Sequence, residues 1–297
     1  MEPVLIALGV NGGPRLSPGH PKPALALNID SSIYLVDCGY ETALQFVAAG
    51  LPFSQLRQVF LTHNHLDHTS GIPSLFIHGW VAPQPLRAEI GIWGPKPTDR
   101  FVSGLTAMFG TDIQNYEAGG GFGKFPMPES HDIEVSDAES TLVYGDENVT
   151  VTAAKVFHGA ELAESFALRF DLKASGKSIV FSGDVGPMDA NLISLAKGCN
   201  YLVHEVQDNA AVEKLVASIP DPTRAAELRE HMLTSHTSIE DLPHVAAAAG
   251  AEALILCHYT PFPQAAEVFK AKVQTQAELA GYSGQIIAPS ALERITL

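Results

Sequence analysis

The 297-residue chain is short of charge, and shortest of positive charge. Charged residues make up 17%, and 18 Lys and Arg stand against 33 Asp and Glu, a formal net charge of −15. The basic residues are scattered and form no stripe. Nucleic-acid binding depends on neutralising phosphates, so this balance is expected to exclude RNA and DNA and to leave a small-molecule substrate. No apolar run reaches the length of a membrane span, which removes a bilayer from the expected partners. The N-terminal MEPVLIALGVNGG lacks a basic n-region and runs straight into a strand, so a cytoplasmic protein is expected. Cysteine is scarce: Cys38, Cys199 and Cys257 are odd in number and far apart, which fits buried thiols in a reducing compartment rather than a disulfide framework.

What is present is a core. Hydrophobic residues are 46% of the chain, enough to exclude global disorder. Strand-like runs such as VLIAL (4–8), SIYLVD (32–37) and ALILC (253–257) alternate with segments of helical spacing in both halves. No sequence repeat and no linker separates the halves. A single domain over 1–297 is therefore expected, with two sheets between helix layers. A helix is predicted over 99–110, and the Gly-rich stretch EAGGGFGKFPMPESHD (117–132) is expected to be an irregular loop that could act as a lid. Its GGGFGK lacks the spacing of a phosphate loop.

The chemistry concentrates in QVFLTHNHLDHTSG (58–71). A His-x-His pair cannot share one face of a helix, but in an extended segment after a strand His63 and His65 point the same way. The turn that follows brings Asp67 and His68 to a second point beside the first. Two clusters of nitrogen and oxygen donors without thiolate suit a dinuclear site for zinc, and also for iron, manganese or cobalt.

THNHLDH resembles the H-x-H-x-D-H signature of the metallo-β-lactamase superfamily. That family carries a further His, Asp and His, each after a strand. His158 in VFHGA, Asp184 in SGDVG and His258 in CHYTP stand in that order and context. The resemblance covers essentially the whole chain and implies an α/β fold, the four-layer αββα sandwich. It also implies two divalent metal ions, zinc the first expectation. His63, His65 and His158 would hold one, Asp67, His68 and His258 the other, and Asp184 would bridge them. A hydroxide shared by the metals would be the nucleophile.

Two more motifs narrow the branch. LVHEV (Glu205) and SHTSIED (His236) resemble the HEAT-like and HST-like motifs of the ribonuclease Z branch, which includes arylsulfatase-like and phosphodiesterase-like members. Asp67, His236 and Glu205 are the catalytic candidates, with His236 serving the departing oxygen and Glu205 orienting it. Only one hairpin separates His158 from Asp184, where ribonuclease Z commonly carries a long basic arm. The expectation is therefore a hydrolase of a small phosphodiester or aryl sulfate. A lactonase or thioester hydrolase on the same metals, or a mononuclear iron oxygenase, are the alternatives. Trp80, Phe122, Phe125 and the Gly9–Arg15 loop are the substrate-pocket candidates, and a homodimer is an open expectation.

Overall fold

A computed structural model of the chain describes every residue except Met1, Ala138 and Phe262. It divides into two compact units, Met1–Val10 with Leu16–Ile133 and Ala291–Leu297, and Asn11–Arg15 with Glu134–Ser290.

The first unit is built on β1 (Val4–Gly9), β2 (Ala24–Ile29), β3 (Ser32–Val36), β4 (Leu56–Phe60), β5 (Gly91–Gly94) and β6 (Glu129–Asp132). With the last strand, Arg294–Thr296, they form a seven-stranded mixed sheet in the order last strand–β1–β2–β3–β4–β5–β6. The first three pairings are antiparallel and the last three parallel. Alternation along the strands puts Ile6, Leu8, Ile33, Leu35, Val59 and Ile92 on one apolar face. Against that face pack α1 (Thr42–Ala48) through Phe46, α3 (Ile72–Trp80) through Leu75 and Phe76, and α4 (Asp99–Gly119) through Leu105 and Ile113. The short helix α2 (Leu66–Thr69) lies between β4 and α3.

Helix α4 runs past the predicted end at residue 110. Leu105 and Ile113 lie eight residues apart on one helical face, and the core they enter overrides the cost of Gly110. The helix stops where Gly120 takes a left-handed conformation, φ 72°. Part of the stretch expected to be irregular is thus helix, and Glu129–Asp132 is an edge strand.

The second unit repeats the plan. Its strands are β7 (Thr141–Gly145), β8 (Val149–Lys155), β9 (Phe166–Leu172), β10 (Ser178–Phe181), β11 (Tyr201–Gln207), β12 (Ala253–Thr260) and β13 (Gln285–Ile287). They pair in the order β13–β12–β11–β10–β9–β8–β7, again three parallel and three antiparallel pairings. The helices are α5 (Ala190–Leu195), α6 (Asn209–Ala217), α7 (Pro222–Ser235), α8 (Leu242–Ala249) and α9 (Ala266–Ala280). Asp189, Asp208 and Asp221 cap α5, α6 and α7 by accepting from first-turn N–H groups.

In both units the parallel half of the sheet gathers strand carboxyl ends along one edge, where open α/β sheets place their ligands. Phe46 is fully buried in the first unit and stacks on Phe53 with ring centroids 4.9 Å apart. Phe46→Ala is expected to cost about 3–5 kcal/mol of stability, read by urea denaturation. A loss under about 1 kcal/mol would show that α1 docks some other way.

Candidate metal centre

In the first unit the metal-binding candidates follow β4. His63 is fully buried, and its Nε2 faces Nδ1 of His65 at 3.1 Å. Two imidazole nitrogens bound to one tetrahedral zinc sit about 3.3 Å apart, so the two rings already converge as a chelate requires. His65 is the last extended residue before α2, and Asp67 and His68 lie in its only turn, both buried. His68 Nε2 lies 3.7 Å from Asp67 Oδ2.

The residue that organises this loop is Asp37, directly after β3, which the sequence analysis passed over. Its Oδ1 accepts the Thr62 N–H at 2.9 Å, the Thr62 hydroxyl donates to it as well, and Oδ2 lies 2.8 Å from His68 Nδ1. A proton on Nδ1 turns the other ring nitrogen, Nε2, into a ligand. Asp37 adopts φ 59°, a strained value for a non-glycine residue. The Cys38 N–H donates to the His68 carbonyl at 2.7 Å, and a Cβ on Gly39 would collide with the Asp67 carbonyl. The D-C-G sequence after β3 was the available signal. Lys22 is also buried here. Burial pulls its ammonium down to about 8, while the Asp67 charge opposes that.

In the second unit, His158 lies beyond β8, Asp184 beyond β10, Glu205 near the end of β11 and His258 near the end of β12. All four are buried. Asp184 Oδ2 stands 3.0 Å from His258 Nε2 and 3.6 Å from His158 Nε2. His158 Nδ1 lies 2.7 Å from the Ser235 carbonyl at the end of α7, which leaves Nε2 as its ligand nitrogen. His258 is a bulge. Cys257 pairs with Glu205 and Tyr259 with Val206, so His258 is the extra residue, at φ 47°. The bulge re-aims its ring. Gly12 packs on that ring, its N–H donating to the Tyr259 carbonyl, and a Cβ there would strike His258 and the Thr260 hydroxyl. This close approach is what the Gly-rich loop supplies.

Glu205 and His236 form a buried pair. Oε1 accepts the Val185 N–H at 2.7 Å, and Oε2 lies 2.6 Å from His236 Nδ1. Burial pushes His236 down, but the Glu205 carboxylate outweighs it and holds the imidazole above its ordinary value. His231 on α7 is a further histidine that the sequence analysis missed. Its Nδ1 is 3.0 Å from Glu161 Oε1, and its ring centroid is 6.0 Å from that of His158. Within this unit the ligand atoms of His158, Asp184 and His236 lie within 4.8 Å of one another, as do those of Glu205, His236 and His258. Buried imidazoles and carboxylates with their second nitrogens already engaged are a donor set that fits divalent metal.

The aromatic candidates divide. Trp80 and Phe125 belong to the core of the first unit, Trp80 Nε1 donates to the Phe122 carbonyl, and Phe122 remains exposed. The Gly12–Arg15 segment instead lines a cavity in the second unit.

Residues 33–259 match the family model for the beta-lactamase superfamily domain. The chain belongs to the metallo-β-lactamase superfamily, in its ribonuclease Z branch, and is a metal-dependent hydrolase. Among its relatives is a ribonuclease Z of Mycobacterium sp. (strain KMS), 30% identical over 239 residues, 80% of this chain and 78% of that one. The fold is also that of human tRNase Z, short form (TM-score 0.68, 19% identity, 98% of each chain covered). The metallo-β-lactamase fold protein YhfI from Bacillus subtilis matches with TM-score 0.66, 17% identity and 99% coverage of each chain. The α/β class expected from the sequence is the one these likenesses show.

One expectation is corrected. The charge argument excluded nucleic acid and left only small molecules, yet the chain aligns over most of its length with ribonuclease Z proteins. The physical reason is that net charge sums the whole surface, whereas phosphates are met by a few local side chains. No helix among the described residues is long and apolar enough to cross a membrane.

Two outcomes test this geometry. Asp37→Ala is expected to keep the fold and to weaken zinc binding by about 10- to 100-fold, read by competition with a chelating dye. Wild-type affinity would contradict the orienting role. The second concerns pH in the metal-free protein. Burial depresses His158 and His204 to about 4 each, whereas an unfolded histidine titrates near about 6.5. Between these values the unfolded chain binds more protons, so stability falls as pH drops through that window. His236, raised, acts oppositely: its contribution is present at low pH and lost as pH rises through its folded value. Two groups outweigh one, so the urea midpoint should fall from pH 7 to pH 5. A flat or rising midpoint would contradict the neutral burial of His158 and His204.

Proposed function

We propose that the chain is a dinuclear metal-dependent phosphodiesterase that cleaves nucleotide phosphodiesters, RNA among them. Two zinc ions would be held, one by His63, His65 and His158 and the other by Asp67, His68 and His258, with Asp184 shared between them. The observation that carries the proposal is the Glu205–His236 pair, at 2.6 Å in the same unit as Asp184 and His258. The kinship with ribonuclease Z supports the phosphodiester as the bond cleaved.

Divalent zinc, when bound, supplies Lewis acidity that activates water and offsets charge at phosphorus. The chain's own residues do the rest. The Val185 N–H fixes one oxygen of Glu205, so the other can hold His236 Nδ1 in one orientation. That leaves His236 Nε2 to donate to the departing oxygen. The adjacent carboxylate raises the imidazole above its ordinary value, which favours the charged form as the donor. Asp67, buried in the turn of α2, brings a negative charge that favours cation binding.

The test is hydrolysis of bis(p-nitrophenyl) phosphate and of an oligoribonucleotide by zinc-loaded protein. His236→Ala is expected to lower kcat by about 10²- to 10⁴-fold with zinc retained. Asp184→Asn should release metal and abolish turnover. Wild-type turnover in Asp184→Asn would contradict the ligand assignment, and inert wild-type protein with full zinc would contradict the function.

A further inference from the structure

Helix α7 has two working faces. Ser235, at its end, holds His158 through its carbonyl, and His231 lies one turn earlier on that side. Arg224, Leu228 and Met232 recur every four residues and so share another face. That face walls a cavity of about 430 Å³ within the second unit, closed by Leu215 and Ile219 at the end of α6 and by the Gly12–Arg15 loop. The volume is in the lower range for sites that take small organic groups.

Its lining is mostly apolar, with Pro14, Leu215, Ile219, Leu228, Met232 and Pro261 as walls. Two cations border it, Arg15 and Arg224. Arg169 and Arg229 are held by Asp171 and Glu213, but among the described residues no carboxylate pairs with Arg15 or Arg224. Two unneutralised guanidinium groups beside one cavity are notable in a chain of net charge −15. The cavity also adjoins the chemistry. Gly12 packs on the His258 ring, and the Thr260 hydroxyl is 3.3 Å from His258 Nδ1.

We infer that this cavity seats one nucleoside monophosphate unit of the substrate, its base against the apolar wall and its phosphate between Arg15 and Arg224. The inference rests on the phosphodiesterase reading above and adds where that substrate is gripped. A planar apolar base suits walls of Leu, Met and Pro, and a guanidinium matches phosphate oxygens with two parallel N–H donors. The Gly-rich loop then has two tasks in five residues: Gly12 supports His258, and Arg15 meets the phosphate.

The experiment is calorimetric titration of zinc-loaded, full-length protein with adenosine 5′-monophosphate, with ribose 5-phosphate and inorganic phosphate as controls. Wild-type protein should bind the mononucleotide more tightly than either control. The double variant Arg15→Ala/Arg224→Ala, at two exposed positions, should weaken it by about tenfold or more. Leu228→Ala, which trims the apolar wall without adding charge, should weaken the mononucleotide while leaving inorganic phosphate binding as it was. For a p-nitrophenyl ester of a nucleoside monophosphate, the double variant should raise KM more than it lowers kcat. Unchanged mononucleotide affinity in the double variant would overturn the inference, and so would equal affinity for inorganic phosphate. The two failures are separable: absent turnover of bis(p-nitrophenyl) phosphate by the wild type overturns the phosphodiesterase reading, whereas the binding data alone decide the cavity.

Discussion

Two buried carboxylates, one at a strand end in each unit, are what the orientation of His68 and His236 depends on. An isolated carboxylate loses several kcal/mol on leaving water, so it persists inside only with its oxygens satisfied. Asp37 is satisfied by the Thr62 N–H and hydroxyl and by His68 Nδ1. Glu205 is satisfied by the Val185 N–H and His236 Nδ1. The same solution appears twice: a backbone N–H from the neighbouring strand end fixes one oxygen, and an imidazole takes the other. Each carboxylate thereby sets which nitrogen of its histidine faces outward.

Around these anchors the backbone is bent where ordinary strands would not place the groups. Asp37 and His258 both adopt positive φ, and the His258 bulge interrupts an otherwise regular parallel pairing with β11. Such residues cost on the order of 1–3 kcal/mol each. The surrounding sheets offset that cost, with strands buried along nearly their whole length. Gly12 and Gly39 allow neighbouring chain to close on His258 and on the Asp67 turn without a Cβ in the way.

Much of this was legible in the sequence. H-x-H-x-D-H after an apolar strand, and three later donors each after a strand, marked the residues that each unit gathers at its sheet edge. The apolar runs VLIAL and SIYLVD located strands, running nearly unbroken because both faces are buried. Other features were not legible, for physical reasons. Asp37 reads as an ordinary acid at a strand end, and only its partners 25 and 31 residues away reveal its role. The bulge at His258 depends on pairing with β11, which no local pattern encodes. Helix α4 outran its prediction because two widely spaced core residues decided its length. Charge misled because a sum over 297 residues says little about the few that meet a phosphate.

The most direct measurement is the zinc content of the purified chain, taken by elemental analysis alongside the variants His63→Ala and Asp67→Ala. The account places each of these residues on a different metal. It therefore predicts two zinc ions per wild-type chain and a loss of about one in either variant. A single metal per wild-type chain, or full zinc in both variants, would contradict it.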